Sequence, residues 1–225
     1  MDNLDVLKLQ KENFLEFFRN NKMRITVAGA VIAASVFGGF YWATYYIPAQ
    51  ESKAAKALAP MHYYFKNDSM ELVLNGDKGR RIVSAKSIAD DYGSTSKGKE
   101  AALMVSIAYM RTKKYEEALK YIDKTEANDD ILSAAILNMK AVCYSNMGET
   151  EKAASQFAKA GDVAENEFAA EYYKRAGIHY ETAENYEKAL NYYQLIADKY
   201  PTTGVGSDIN KYVYKMKAKL GEYNP

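Results

Sequence analysis

The sequence predicts an all-α chain in which a single N-terminal membrane-spanning helix is followed by stacked helical hairpins. Two observations carry this. Ile25 to Ile47 runs for 23 residues without a charge. Farther along, Ala118, Ala153 and Ala189 stand 35 and 36 residues apart, and Tyr109, Tyr144 and Tyr180 share the same period. Composition agrees with a folded chain, because 225 residues at 48% apolar content supply a core for one or two domains. Thirty Lys and Arg against 29 Asp and Glu leave a formal charge of +1, without the basic footprint of nucleic-acid binding. Cys143, the one cysteine, allows no internal disulfide and no zinc cage.

Residues 1–24 are expected to form a cytoplasmic tail. Within it Phe14, Phe17 and Phe18, with Leu7 and Lys11 nearby, suit a short helix lying in the headgroup layer. Residues 25–47 are expected to cross the bilayer, since a helix of this length reaches about 35 Å against a hydrocarbon core of about 30 Å. Tyr41, Trp42, Tyr45 and Tyr46 gather at one end of the run and Arg19, Lys22 and Arg24 at the other. By the positive-inside rule the N-terminus is cytoplasmic and residues 48–225 lie outside. A cleaved signal peptide would have a shorter apolar region and a small residue where Ile47 stands, and no cysteine lies near the run for lipid attachment. Ala30, Ala34 and Gly38 repeat at four-residue spacing, a small-residue stripe along which another membrane helix can approach closely.

In the repeats, each Ala follows its Tyr by nine positions. The intervening turn is TKK in the first copy and holds Gly148 in the second. Each unit is therefore a helical hairpin, with a ring near the end of one helix and a small residue inside the next. The pattern resembles the tetratricopeptide repeat over Glu100 to Asp130, Ala134 to Asn166 and Ala169 to Pro201. The later aromatic of that motif is Phe157 in the second unit and Tyr193 in the third, with Ile122 in the first. The motif's opening Trp is replaced by Ala102, Leu137 and Tyr173, and Pro201 alone supplies the closing proline.

IADDYGSTSKG, Ile88 to Gly98, resembles IADKYPTTGVG, Ile196 to Gly206, at an offset of 108 residues or three periods of 36. Residues 48–99 are accordingly expected to hold a divergent first hairpin, interrupted by NGDKGRR at Asn75 to Arg81. Three hairpins then occupy 100–206, and a capping helix from Ser207 to Leu220 lies within 207–225. Terminal units are atypical because they have one neighbour instead of two.

No catalytic constellation is legible. His62 and His179 belong to no metal-ligand spacing or triad, and Cys143 sits where a small apolar residue belongs. Glu116, Glu117, Asp129 and Asp130 flank turns, and NGDKG lacks the GK[ST] ending of a phosphate loop. The chain is expected to be non-enzymatic, with no metal and no cofactor. A repeat array offers instead a groove lined by the first helix of each hairpin. In this register Leu103, Ile107, Met110, Asn138, Val142, Ser145, Lys174, Ile178 and Glu181 point into it. Carboxylate-gripping receptors of this fold place Lys and Asn at several of these positions, where Ile107 and Val142 depart from the pattern. A groove of this character suits an unfolded segment or a partner helix.

A short tail, one span and exported repeats together resemble the YfgM-like family of ancillary SecYEG translocon subunits. YYFKNDSMELVLNGD followed by IADDYGST looks like the version common in Bacteroidota. The resemblance implies a single-pass protein of the bacterial inner membrane with a periplasmic repeat domain. Its implied partners are the SecYEG translocon, a PpiD-like chaperone and exported polypeptides. The other expectation for the same architecture is a structural scaffold or assembly factor of a different envelope complex, such as a secretion or gliding apparatus.

Overall fold

The computed structural model describes residues 3–222, and the chain divides after Gln50 into two units. Among the described residues there is no β-strand, only an isolated antiparallel bridge between Asp77 and Ile82.

In the first unit, α1 (Asn3–Asn20) and α2 (Lys22–Tyr41) are separated at Asn21, whose side-chain amide donates to the Phe17 carbonyl at 3.0 Å. The Phe14, Phe17 and Phe18 rings of α1 are exposed and touch one another, with centroids 4.7 and 6.1 Å apart. The side chain of Leu7, expected on the same face, lies outside the described residues. No residue of α2 is buried. A helix apolar on every side is stable in a nonpolar medium only if its polar groups are satisfied internally. The Thr26 and Ser35 hydroxyls do this by donating to the Lys22 and Val31 carbonyls at 2.9 Å each.

Among the described residues one helical stretch, Lys22–Lys66, is long and apolar enough to cross a membrane. It contains a π-helical turn at Trp42–Tyr46, after which α3 (Ile47–Lys66) continues. Pro48 lacks the N–H that would close an α-helical bond to Thr44, and a widened turn just before a proline relieves that conflict. The turn stacks Trp42 on Tyr46 at 4.3 Å and follows a Tyr41–Tyr45 stack at 5.7 Å. The aromatic group therefore lies inside a longer helix instead of ending it.

The second unit contains α4 (Met70–Asn75), α5 (Ala85–Asp91), α6 (Ser96–Arg111), α7 (Tyr115–Ile122), α8 (Asp130–Asn146), α9 (Thr150–Val163), α10 (Asn166–Thr182), α11 (Tyr186–Lys199) and α12 (Asn210–Lys219). From α4 onward each helix packs on the next or the next but one, and three-residue connections join α6 to α7, α8 to α9 and α10 to α11. The helices begin three or four residues before the repeat units marked in the sequence.

One turn geometry recurs. The Tyr64, Tyr109, Tyr144 and Tyr180 carbonyls accept from the backbone N–H of Ser69, Lys114, Glu149 and Asn185, at 2.9 Å in all four. The residue before each donor, Asp68, Lys113, Gly148 or Glu184, has a positive φ of 57 to 78°. This is the Schellman closure, in which a left-handed residue lets the chain leave the helix while its last carbonyls stay bonded. Nine positions beyond each tyrosine a side chain is wholly buried: Val73, Ala118, Ala153 and Ala189. Ile122, Phe157 and Tyr193, one helical turn farther on, are buried as well.

The first hairpin is thus α3 followed by a second arm broken into α4 and α5. Residues 76–84 interrupt that arm, lengthening the first tyrosine interval to 45 residues. Tyr64 holds the insertion by donating its hydroxyl to Asp77 at 2.7 Å, and Asp77 also accepts from the Arg80 N–H at 3.1 Å. That shared bond raises the Tyr64 phenol pKa and holds the Asp77 carboxyl below the usual range.

The second turn type repeats too. Thr95 and Thr203 donate their hydroxyls to the Tyr92 and Tyr200 carbonyls at 2.7 and 2.8 Å. The same hydroxyls accept from Gly98 and Gly206 at 2.9 and 3.0 Å. After the second of these turns a short 3-10 segment, Gly206–Asp208, precedes α12. The last helix therefore starts at Asn210 and not at Ser207, and the residues after 222 lie outside the described part.

Buried side chains form three successive groups: one from Ala54 to Cys143, one around Ala141, Phe157 and Ala176, and one from Ala154 to Met216. No buried side-chain nitrogen or oxygen is left without a partner among the described residues.

Candidate partner-binding site

Ala30, Ala34 and Gly38 are exposed along α2, and a Cβ added at Gly38 would meet nothing within 4 Å. The nine first-helix positions lie on α6, α8 and α10, and none is buried. Their polar members, however, are engaged with neighbouring helices. Arg175 of α10 donates to Asn138 of α8 at 3.3 Å, and its guanidinium lies 5.8 Å from the centre of the Phe157 ring. His179 Nδ1 is 2.9 Å from the Arg175 carbonyl, so that nitrogen carries a proton. In the neutral ring the Ser145 hydroxyl then donates to Nε2, also at 2.9 Å. Glu181 pairs with Lys215 and accepts from the Tyr193 hydroxyl at 3.4 Å, while Lys174 stands over the Tyr212 ring at 5.8 Å.

These groups tie helices about one repeat apart to each other, and the apolar members take no part in those ties. Leu103, Ile107, Met110 and Val142 are half-buried; Met110 leans on the first core group and Val142 on the second, and Ile178 is exposed. Leu103 also lines a small cleft of about 260 Å³ with Leu132 and Ile136.

A larger cleft of about 590 Å³ lies where the first turns of α8 and α10 meet the end of α9. Its walls are Ile131, Ala134, Val163, Ala164, Phe168 and Tyr172, with Asp130 and Glu165 beside them. Ile131 is 84% exposed and Phe168 74%, far more than soluble helices ordinarily leave to such side chains. The two stand 37 residues apart, the separation that also joins Asn138 to Arg175. Sequence reasoning missed both, because each opens an apolar helical run and passes for core. The signal that marks them is position: a first-turn residue has no preceding turn of its own helix to shelter it.

Chemically these surfaces can bind apolar groups. The Cys143 thiol is pushed up to about 11 by burial, which keeps it protonated and unreactive. Among the described residues no group of three His, Cys, Asp or Glu side chains converges on a metal position. No protein-family model matches the chain, and no curated protein matches it.

Proposed function

We propose that the chain is a non-enzymatic, inner-membrane-anchored tetratricopeptide-repeat protein that binds protein partners at the Sec translocon. In this role it assists exported polypeptides together with a PpiD-like chaperone. The repeat assignment is supported by the recurring Tyr-to-donor closures and by the small or β-branched residue buried nine positions after each tyrosine. The single observation that carries a binding role is the apolar cleft flanked by exposed Ile131 and Phe168. Such a patch on a folded domain is of the kind that protein partners cover, which supports this reading. The apolar stretch within Lys22–Lys66 supports a membrane anchor. Extraction in mild detergent followed by identification of co-purifying proteins tests the proposal. SecYEG and a PpiD-like chaperone are the expected partners; recovery of a different envelope complex without them replaces this role by that of a structural scaffold.

A further inference from the structure

We infer that the cleft between α8, α9 and α10 selects polypeptide segments in which a large apolar side chain is flanked by lysine or arginine. This inference names the ligand chemistry of the site proposed above and rests on its being a protein-binding surface. The apolar half of the argument is the pair Ile131 and Phe168, which face solvent beside a cleft with room for one large side chain and part of its neighbours.

The charged half is the asymmetry around that cleft. Among the described residues no lysine, arginine or histidine lines it. Asp130 and Glu165 do, and Glu167 follows in the first turn of α10. All three carboxylates are exposed, and among the described residues none has an ion-pair or side-chain hydrogen-bond partner. Neighbouring acids differ: Asp129 accepts from the Leu132 N–H at 2.7 Å, Asp162 accepts from the Tyr173 hydroxyl at 3.0 Å, and Glu126 is paired with Lys99. The ends of α8 and α10 each offset roughly half a charge through the helix dipole. Three unpaired carboxylates and the C-terminal end of α9, against the N-terminal ends of α8 and α10, leave the mouth negative by roughly two to three charges. An apolar anchor carrying basic neighbours removes both mismatches at once, covering the rings and neutralising the rim. An acidic segment meets repulsion at the same place.

The test titrates full-length protein in detergent micelles with short fluorescent peptides on a Gly/Ser background. One carries a tryptophan flanked by lysines, one the same tryptophan flanked by glutamates, and one serine in place of tryptophan with the lysines kept. The lysine–tryptophan peptide is expected to bind at least about tenfold more tightly than either of the others. Raising salt until the Debye length is about 3 Å should erode most of the charge preference. Phe168→Ser, at a site too exposed to endanger folding, should abolish the difference between tryptophan and serine peptides, and comparison with it subtracts micelle binding. The double variant Glu165→Lys with Glu167→Lys should shift preference toward the glutamate peptide. Equal binding of lysine and glutamate peptides, or undiminished binding by Phe168→Ser, overturns the inference. So does a dimer of the chain that Phe168→Ser dissolves and the peptide does not displace, because a second copy then covers the cleft. Loss of peptide selectivity while SecYEG still co-purifies removes this inference alone, whereas retained selectivity without SecYEG removes the translocon partner and leaves the inference standing.

Discussion

A Cβ added at Gly98 would stand 1.8 Å from the Tyr92 carbonyl oxygen, and one at Gly206 would stand 1.9 Å from that of Tyr200. These are backbone atoms already engaged by Thr95 and Thr203, so the turn cannot yield without losing its hydrogen bonds. Gly98→Ala or Gly206→Ala is therefore expected to destabilise the chain by at least about 1–3 kcal/mol, the usual cost of overpacking. Thermal unfolding of the detergent-solubilised protein, followed by circular dichroism, checks this; an unchanged midpoint would mean that the turn admits a methyl group without losing its hydrogen bonds. At this scale the sequence was partly legible. The likeness of IADDYGSTSKG to IADKYPTTGVG marks two turns whose threonine and glycine turn out to have identical partners. The polar ladder through Asn138, Arg175, Ser145 and His179 was not legible, because it depends on which atoms face each other between helices. A position in a repeat register does not state that.

Four hairpin ends use the same Schellman closure, yet only one supplies the glycine that its left-handed residue favours. Gly148 sits at φ 78° without strain, whereas Lys113 and Glu184 hold φ 59° with a Cβ present. A left-handed L-residue costs about 1–2 kcal/mol, and glycine returns roughly half of that as backbone entropy in the unfolded chain. Lys113→Gly and Glu184→Gly should each stabilise the fold by about 0.5–1 kcal/mol. Gly148→Ala should cost about as much, and urea midpoints of the three variants give the comparison. The first hairpin shows what period alone cannot deliver. Its turn at Asp68 obeys the common rule, but residues 76–84 split the second arm, so its tyrosine falls out of step with the others. NGDKGRR announced an interruption without saying which arm it breaks.

The same region supplies a pH-dependent tie. Burial opposes ionisation of Asp90, but bonds from Lys124 and the Tyr121 hydroxyl outweigh it and hold the carboxyl below its ordinary 3.8. A lowered folded pKa means stability that is present above 3.8 and lost as pH falls through the lower folded value. The carboxylate is partly exposed, so screening keeps the effect small. Asp90→Asn should accordingly be less stable than the parent at neutral pH, with the gap closing in acid. A gap that stays constant to pH 2 would assign the loss to packing instead.

For the whole molecule, the amphipathic and uncharged runs made the helical class and the long apolar helix readable, since both follow from hydrophobic period and length. The cleft was not readable, because exposure of Ile131 and Phe168 is a property of how the starts of α8 and α10 meet the end of α9. The proposed orientation follows from charge: Arg19, Lys22 and Arg24 stand at one edge of the apolar run, and carrying them across the bilayer is costly. The uncharged 23 residues after them give no comparable reason to hold the following chain back. Protease added to intact spheroplasts should therefore digest the chain beyond Pro48 and leave a fragment containing α2 in the membrane. Replacing all three basic residues by glutamine should blur that outcome, leaving part of the population protected. If the parent's repeat domain is cut only after the membrane is dissolved, the basic edge does not set the orientation, and the cleft would face the cytoplasm and meet a different set of partners.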